Sequence, residues 1–274
     1  MQVWSFANQK GGVGKTTTTV SISGLAAESG MRVLMLDLDP HGSLTSYWGL
    51  NSDTCTSSTY TLFEENKTLT NDRIKSLIHS TSVEGLDFIP SSTALATLER
   101  QAIGKDGLGL VVSKTAQLME NDYDLVAVDS PPILGVLMIN ALAACQKLII
   151  PVQTEHLALK GLERMLHTLK MMSRSRKNEL EYLIVPTMFD RRTHASITSL
   201  RAIKNTYMEE AWPGKIPIDT RLRDASKAGL APHVFDPNSR GVTAYASLFK
   251  YILGERSARQ QPPSEITTLE RCVG

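Results

Sequence analysis

Short apolar runs, separated by longer segments of helical periodicity, organise this chain. The runs are Met1 to Ala7, Arg32 to Leu36, Leu86 to Pro90, Tyr123 to Asp129, Lys147 to Val152 and Glu181 to Val185. Their length and apolar middles, several of them closed by Asp or Pro, predict buried strands. Between them, Ser92 to Ile103 and Leu108 to Asn121 carry apolar residues at three- and four-residue spacing, which predicts amphipathic helices. Thr16 to Glu28 and Leu157 to Arg176 read as long helices, the second with a Leu159, Leu162, Leu166, Leu169 stripe. Thr59 to Asn66, Asn71 to His79, a segment through Asp224, and Ala244 to Leu253 read as further helices. Strands alternating with helices imply parallel pairing through right-handed crossovers, so the expected fold is α/β, a doubly wound, mostly parallel sheet with helices on both faces. Residues 1–254 form one domain in this reading, and 255–274, with two prolines and few apolar side chains, form a flexible tail.

Composition narrows the class. The 274 residues, 42% hydrophobic and 21% charged, suffice for one large α/β domain or two small ones. No apolar run of membrane-spanning length occurs, and Met1 leads directly into a strand without a basic and apolar leader, so a cytoplasmic protein is expected. Cys55, Cys145 and Cys272 are odd in number and lack C-x-x-C spacing, which points away from a disulfide framework or a zinc site. Net charge is only +1, yet Arg191 to Lys250 holds ten Lys/Arg against five Asp/Glu. That excess fits salt-sensitive contact with nucleic acid and fits an ordinary solvated surface equally well.

The strongest chemical signal follows the first strand, where Ala7 to Thr19 reads ANQKGGVGKTTTT. Gly11, Gly12 and Gly14 let the backbone amides of Gly11, Gly12, Val13, Gly14 and Thr17 turn toward an anion. Lys15 supplies a mobile charge for β- and γ-phosphates, Thr16 a hydroxyl for Mg²⁺, and the following helix the positive end of its dipole. In the strict pattern G-x-x-x-x-G-K-[ST] the first glycine would fall on Gln9, and the loop instead carries a second lysine, Lys10. Alone, Lys10 reads as a solvated loop charge.

Two strands end in carboxylates. Asp37 and Asp39 close one in D-L-D-P, and Asp129 closes another before Ser130-Pro131-Pro132. In open α/β sheets ligands bind at that edge, so these groups are candidates for holding Mg²⁺ and for orienting an attacking water. Either aspartate alone would read as a cap or a turn. No Asp-His-Ser or cysteine nucleophile arrangement accompanies them, which leaves water as the acceptor.

The loop K-G-G-x-G-K-T-T, with Asp39 and Asp129, resembles the ParA/MinD family of P-loop ATPases. The resemblance implies ATP and Mg²⁺ as cofactors, with Lys15 and Asp39 acting in hydrolysis. It also implies that Lys10 reaches the phosphates of a partner subunit, so that ATP binding drives homodimerisation. Asp129 resembles the family's Walker B aspartate, Asp39 its switch aspartate, and Asp37 a contact to metal or its water. Where the family usually has Gln, this chain has His41, which is given no fixed role.

Val185 to Thr193 resembles the family's segment after the sixth strand, and Ile216 to Leu222 its adenine-side loop, so Thr187, Met188, Pro217 and Asp219 are expected beside the base. In the partitioning branch the ATP dimer binds DNA without sequence preference. Arg192, Arg201, Lys204, Arg221, Arg223, Lys227 and Lys250 are the cations available for that here. The membrane-bound branch uses a C-terminal amphipathic helix, whose stripe the tail lacks, so no membrane contact is expected. The implied function is an ATP-dependent switch that positions cargo, stimulated by a cargo-linked activator, with a nucleoid or polar location. The rival readings are an ATP-dependent amide or ring synthase of the same superfamily and a polar-scaffold switch that binds no DNA.

Overall fold

The computed structural model describes residues 1–101, 108–173 and 180–254. Its strands are β1 (Gln2–Phe6), β2 (Val33–Asp37), β3 (His79–Ser80), β4 (Leu86–Ile89), β5 (Leu125–Asp129), β6 (Lys147–Gln153) and β7 (Glu181–Thr187). They form one sheet in the order β3-β4-β2-β5-β1-β6-β7. All pairings are parallel except that of β3 with β4. The expected doubly wound sheet is therefore present, with one antiparallel edge strand added.

Alternation along each strand feeds two cores. Leu34, Leu36, Val126, Val128, Leu148 and Ile150 face one side. There they meet α6 (Val111–Leu118), α7 (Val136–Ala144) and α8 (His156–Ser173) through Val112, Leu137, Met138, Leu162 and Met165. Trp4, Phe6, Val33, Met35, Leu125, Ala127 and Ile149 face the other side. Those residues meet α1 (Lys15–Glu28) and α12 (Arg240–Ile252) through Val20, Ile22, Ala26, Tyr245, Leu248 and Phe249. Burial on both faces is why the strands read as continuous apolar runs.

The first helix is buried almost all round from Thr18 to Ala27. Its four threonines are poor helix formers, so packing rather than propensity holds it. The remaining helices are α2 (Ser43–Tyr47), α3 (Thr59–Glu64), α4 (Asn71–Lys75), α5 (Ala94–Gln101), α9 (His194–Thr206), α10 (Thr220–Ala228) and α11 (Pro232–Phe235).

Several boundaries differ from the sequence reading. The helix expected over Asn71 to His79 stops at Lys75, because His79 and Ser80 pair with Phe88 and Asp87 as the sheet edge. Leu108–Leu110 forms a 3₁₀ turn ahead of α6. The helix expected from Ala244 starts at Arg240, where the Ser239 hydroxyl accepts the Val242 amide at 3.2 Å. The helix through Asp224 continues to Ala228 and ends on Gly229, whose φ of 66° suits a residue without Cβ. Four helices were not anticipated: α7, whose VLMINALAA has no polar face, α9, opened by Thr193, and the short α2 and α11. Ile103, Arg174, Arg176 and the tail 255–274 lie outside the described residues. Among the described residues, no helix is long and apolar enough to cross a membrane.

Candidate active site

Parallel register sets the site. Phe6 and Asp37 both pair with Asp129, so the loop after β1 and two carboxylates emerge side by side at the carboxyl edge. Asn8 anchors the loop: its amide donates to Pro151 O at 2.7 Å and its oxygen accepts the Lys10 amide at 3.0 Å. Gln9, at the position of the missing glycine, donates to Thr168 Oγ1 at 2.8 Å. Thr187 Oγ1 donates to Val13 O at 2.8 Å, tying the loop to β7. Gly12 and Gly14 have φ of 72° and 92°, a region that L side chains rarely enter. A Cβ at Gly11 or Gly12 would meet no atom within 4 Å, so the loop's mouth is open to a ligand.

Lys15 is buried, and its ammonium donates to Lys10 O at 3.4 Å. Burial lowers its pKa, with Asp129 and Asp39 opposing the shift, so an anionic ligand would complete its environment. The Thr16 hydroxyl donates to Asp129 Oδ2 at 2.6 Å, and Thr19 Oγ1 lies 3.4 Å from Asp129 Oδ1. Burial pushes the Asp129 carboxyl up, partly offset by Thr16 and Lys15. A hydroxyl and a carboxylate at the foot of an open phosphate cradle suit Mg²⁺, a hard ion that keeps several waters and takes phosphate oxygens.

Asp37 is fully buried. Its Oδ1 accepts the Asp39 amide at 3.1 Å, while Oδ2 accepts the Thr45 amide at 2.8 Å and hydroxyl at 2.7 Å. Both oxygens thus hold the turn into α2, which places Asp37 behind the site. Burial and the neighbouring Asp129 raise its pKa. Asp39 sits further out, with its Oδ1 accepting from the His41 amide at 3.0 Å and lying 2.9 Å from the imidazole. His41, given no role from sequence, therefore contacts Asp39. Asp39 and His41 line a cavity of about 690 Å³ with Pro131, Pro132 and Glu99.

The second lysine of the loop, Lys10, is ion-paired with Glu155, and its ammonium is 3.5 Å from Gln153 Oε1. Neither partner was anticipated; their place at the end of β6, beside β1, is what brings them to the loop.

Thr187, Met188, Pro217 and Asp219 line one cavity of about 390 Å³ with Gly14 and Thr17. Met188 has φ of 52° and is the one non-glycine residue with positive φ among the described residues. The Asp219 carboxylate is occupied, accepting the Arg221 amide at 3.0 Å and the Gly241 amide at 2.8 Å. The walls left for a flat ring are Met188, Ile216, Pro217 and Leu222. Arg223, grouped by sequence with the DNA cations, lines this cavity as well, and Ser226 and Tyr245 were missed.

The other cations divide. Arg192 pairs with Asp190 at 2.8 Å, Arg221 pairs with Asp236 at 2.7 Å and stacks on Phe235, and Lys204 donates to Pro213 O. Arg201, Lys227 and Lys250 are exposed on α9, α10 and α12, and form no ion pair among the described residues. Arg191, Arg192, Lys215 and Arg240 line one cavity of about 430 Å³.

The chain is similar to several known proteins. A family model described as an AAA domain matches residues 1–182. The sporulation initiation inhibitor protein Soj of Bacillus subtilis is 32% identical over 252 residues, 92% of this chain and 98% of its own. The chromosome partitioning protein ParA of Myxococcus xanthus is 30% identical over 249 residues, 90% of this chain and 86% of its own. The crystal structure of cobyrinic acid a,c-diamide synthase from Mycobacterium smegmatis, with bound ATP analog and magnesium, superposes with a TM-score of 0.78 at 29% identity. It covers 96% of this chain and 98% of that one.

Proposed function

This chain belongs to the ParA/MinD family of P-loop ATPases, with ATP and Mg²⁺ as its cofactors, and we propose that it works as a dimerising switch that positions intracellular cargo. The observation that carries this reading is the pair of lysines in one phosphate loop. Lys15 and the amides of Gly11 to Thr17 hold the nucleotide of their own subunit. Lys10 reaches the phosphates of a second copy, so that ATP joins two chains. Ile133, Leu134 and Leu157 are exposed on segments that follow β5 and β6, the edge that carries the loop, and burying them would favour such pairing.

Within each half, Thr16 and Asp129 hold Mg²⁺, with Asp37 bracing the turn that carries Asp39. When bound, the metal would supply neutralisation of the charge on the phosphates. Asp39 orients the water that attacks the γ-phosphorus. As the bond from that phosphorus to the ADP oxygen breaks, Lys15 and the loop amides take up the charge on the leaving oxygen. The adenine ring lies between Met188 and Pro217.

The dimer binds DNA without sequence preference through exposed cations of the C-terminal third, and a cargo-linked activator stimulates hydrolysis. The location this reading expects is the cytoplasm, on the nucleoid or at a pole, and the chromosome-partitioning name of the Myxococcus xanthus relative supports contact with the chromosome. Fluorescence anisotropy on an arbitrary duplex tests it. Binding that requires Mg²⁺-ATP and weakens steeply with salt is expected; no binding in any nucleotide state would favour the scaffold switch, and binding indifferent to nucleotide would refute a nucleotide-gated contact with DNA. The similarity to a diamide synthase favours a second reading, ATP-dependent amide formation. Phosphate release that rises with a carboxylic acid substrate and amine donor, and not with DNA and a partner, would select that one.

A further inference from the structure

Lys10 is not idle in the single chain. Its backbone is fixed at both ends, with its amide donating to Asn8 and its carbonyl accepting from Lys15. Its Cβ packs near Gly161 of α8, where an added Cβ would lie 3.5 Å away. The ammonium is free to choose partners, and in this structure it pairs with Glu155 beside Gln153. Glu155 has a firm base. Its amide donates to Gln153 O at 2.8 Å and its carbonyl accepts the Ala158 amide at 3.1 Å, fixing it between β6 and α8.

We propose that Glu155 is a positioning residue that regulates dimerisation. It holds the Lys10 ammonium within its own subunit and must release it before Lys10 can bridge to nucleotide on a second copy. This rests on the reading of Lys10 given above. The Lys10 and Glu155 side chains are 28% and 40% exposed, so the pair is screened and weak enough to open. Pairs of this kind shift an equilibrium by a factor of about 1.4 to 5 each, and a symmetric dimer breaks two of them. Removing the Glu155 charge should therefore tighten the ATP dimer by roughly 2- to 30-fold.

The test is sedimentation of the full chain with Mg²⁺ and a non-hydrolysable ATP analogue, comparing wild type, Glu155→Gln, Glu155→Asp and Lys10→Ala. Glu155→Gln should dimerise at lower protein concentration, with ADP affinity unchanged and a melting temperature lowered by no more than about 4 °C, and Glu155→Asp should return toward wild type. Raising salt should bring wild type toward the Gln variant, because screening opens the same pair. If Lys10→Ala abolishes the dimer while Glu155→Gln leaves it unchanged or weaker, the restraint by Glu155 is refuted and the role of Lys10 stands. If Lys10→Ala dimerises like wild type, the reading beneath both fails.

Discussion

Replacing Thr16 by alanine removes the hydroxyl that donates to Asp129 Oδ2 at 2.6 Å. That carboxylate is 1% exposed, so water cannot substitute without rearrangement. The remaining hydroxyl, on Thr19, is 3.4 Å away and also lies 3.1 Å from Lys15 O. A hydrogen bond to a buried charged group is worth about 1.5–3 kcal/mol, and because burial already favours the neutral form of Asp129 the cost should fall at about 1.5–2 kcal/mol. In a chain of this size each kcal/mol moves the melting midpoint by about 2–4 °C, so the variant should melt about 3–8 °C lower. Thr16→Ser, which keeps the hydroxyl, should lose far less. Thermal unfolding without nucleotide, with ATP and EDTA, and with ATP and Mg²⁺ separates the structural from the metal-dependent loss. Thr16→Ala should show little of the increment that Mg²⁺ adds in wild type, whereas Thr16→Ser should show nearly all of it. A Thr16→Ala protein that melts with wild type and keeps the full increment would remove this hydroxyl from the site.

Other outcomes follow from named contacts. Gly24→Ala puts a Cβ 2.6 Å from His233 Cε1 and 3.3 Å from Ala231 Cβ. Overpacking of about 1–3 kcal/mol should outweigh the gain of about 1 kcal/mol in helix propensity, and the same change in a His233→Ala background should become stabilising; a double-mutant cycle by urea unfolding would show no coupling if the contact were absent. His233 is buried, its Nδ1 has no hydrogen-bond partner among the described residues, and burial lowers its pKa below 6.5. The unfolded chain then takes up the proton first, so stability should fall as pH drops through 6.5 and level off below the folded value, a slope that His233→Gln should lack. Asp39→Ala should keep nucleotide affinity, slow phosphate release by about 10²-fold or more and leave the ATP dimer long-lived. Wild-type turnover in that variant would end its assignment to the attacking water.

How much of this was legible beforehand depended on burial. Strands covered on both faces show as unbroken apolar runs, and the glycines of the loop announce themselves because positive φ at Gly12 and Gly14 needs them. Periodicity fails where it has no contrast. The α7 helix, VLMINALAA, has no polar face to set against an apolar one, and β3 is a two-residue edge defined only by its partner. Cap chemistry at Thr193 and Ser239 was readable and would have placed the starts of α9 and α12. Glu155, Gln153 and Glu99 were not legible, because they reach the site through sheet order rather than through proximity to a motif. Asp219 matched a familiar stretch, yet its oxygens cap α10 and hold Gly241. A motif located a cavity there without showing which atoms face it.

The claim beneath the rest is that nucleotide phosphate joins two copies through Lys10. Sedimentation velocity on Lys10→Ala, with nucleotide affinity measured on the same preparation, addresses it most directly. The account expects unaltered affinity and a monomer at concentrations where wild type with Mg²⁺ and the ATP analogue is a dimer. An unchanged dimer in the variant, or a wild-type monomer at every concentration with nucleotide bound, would contradict it.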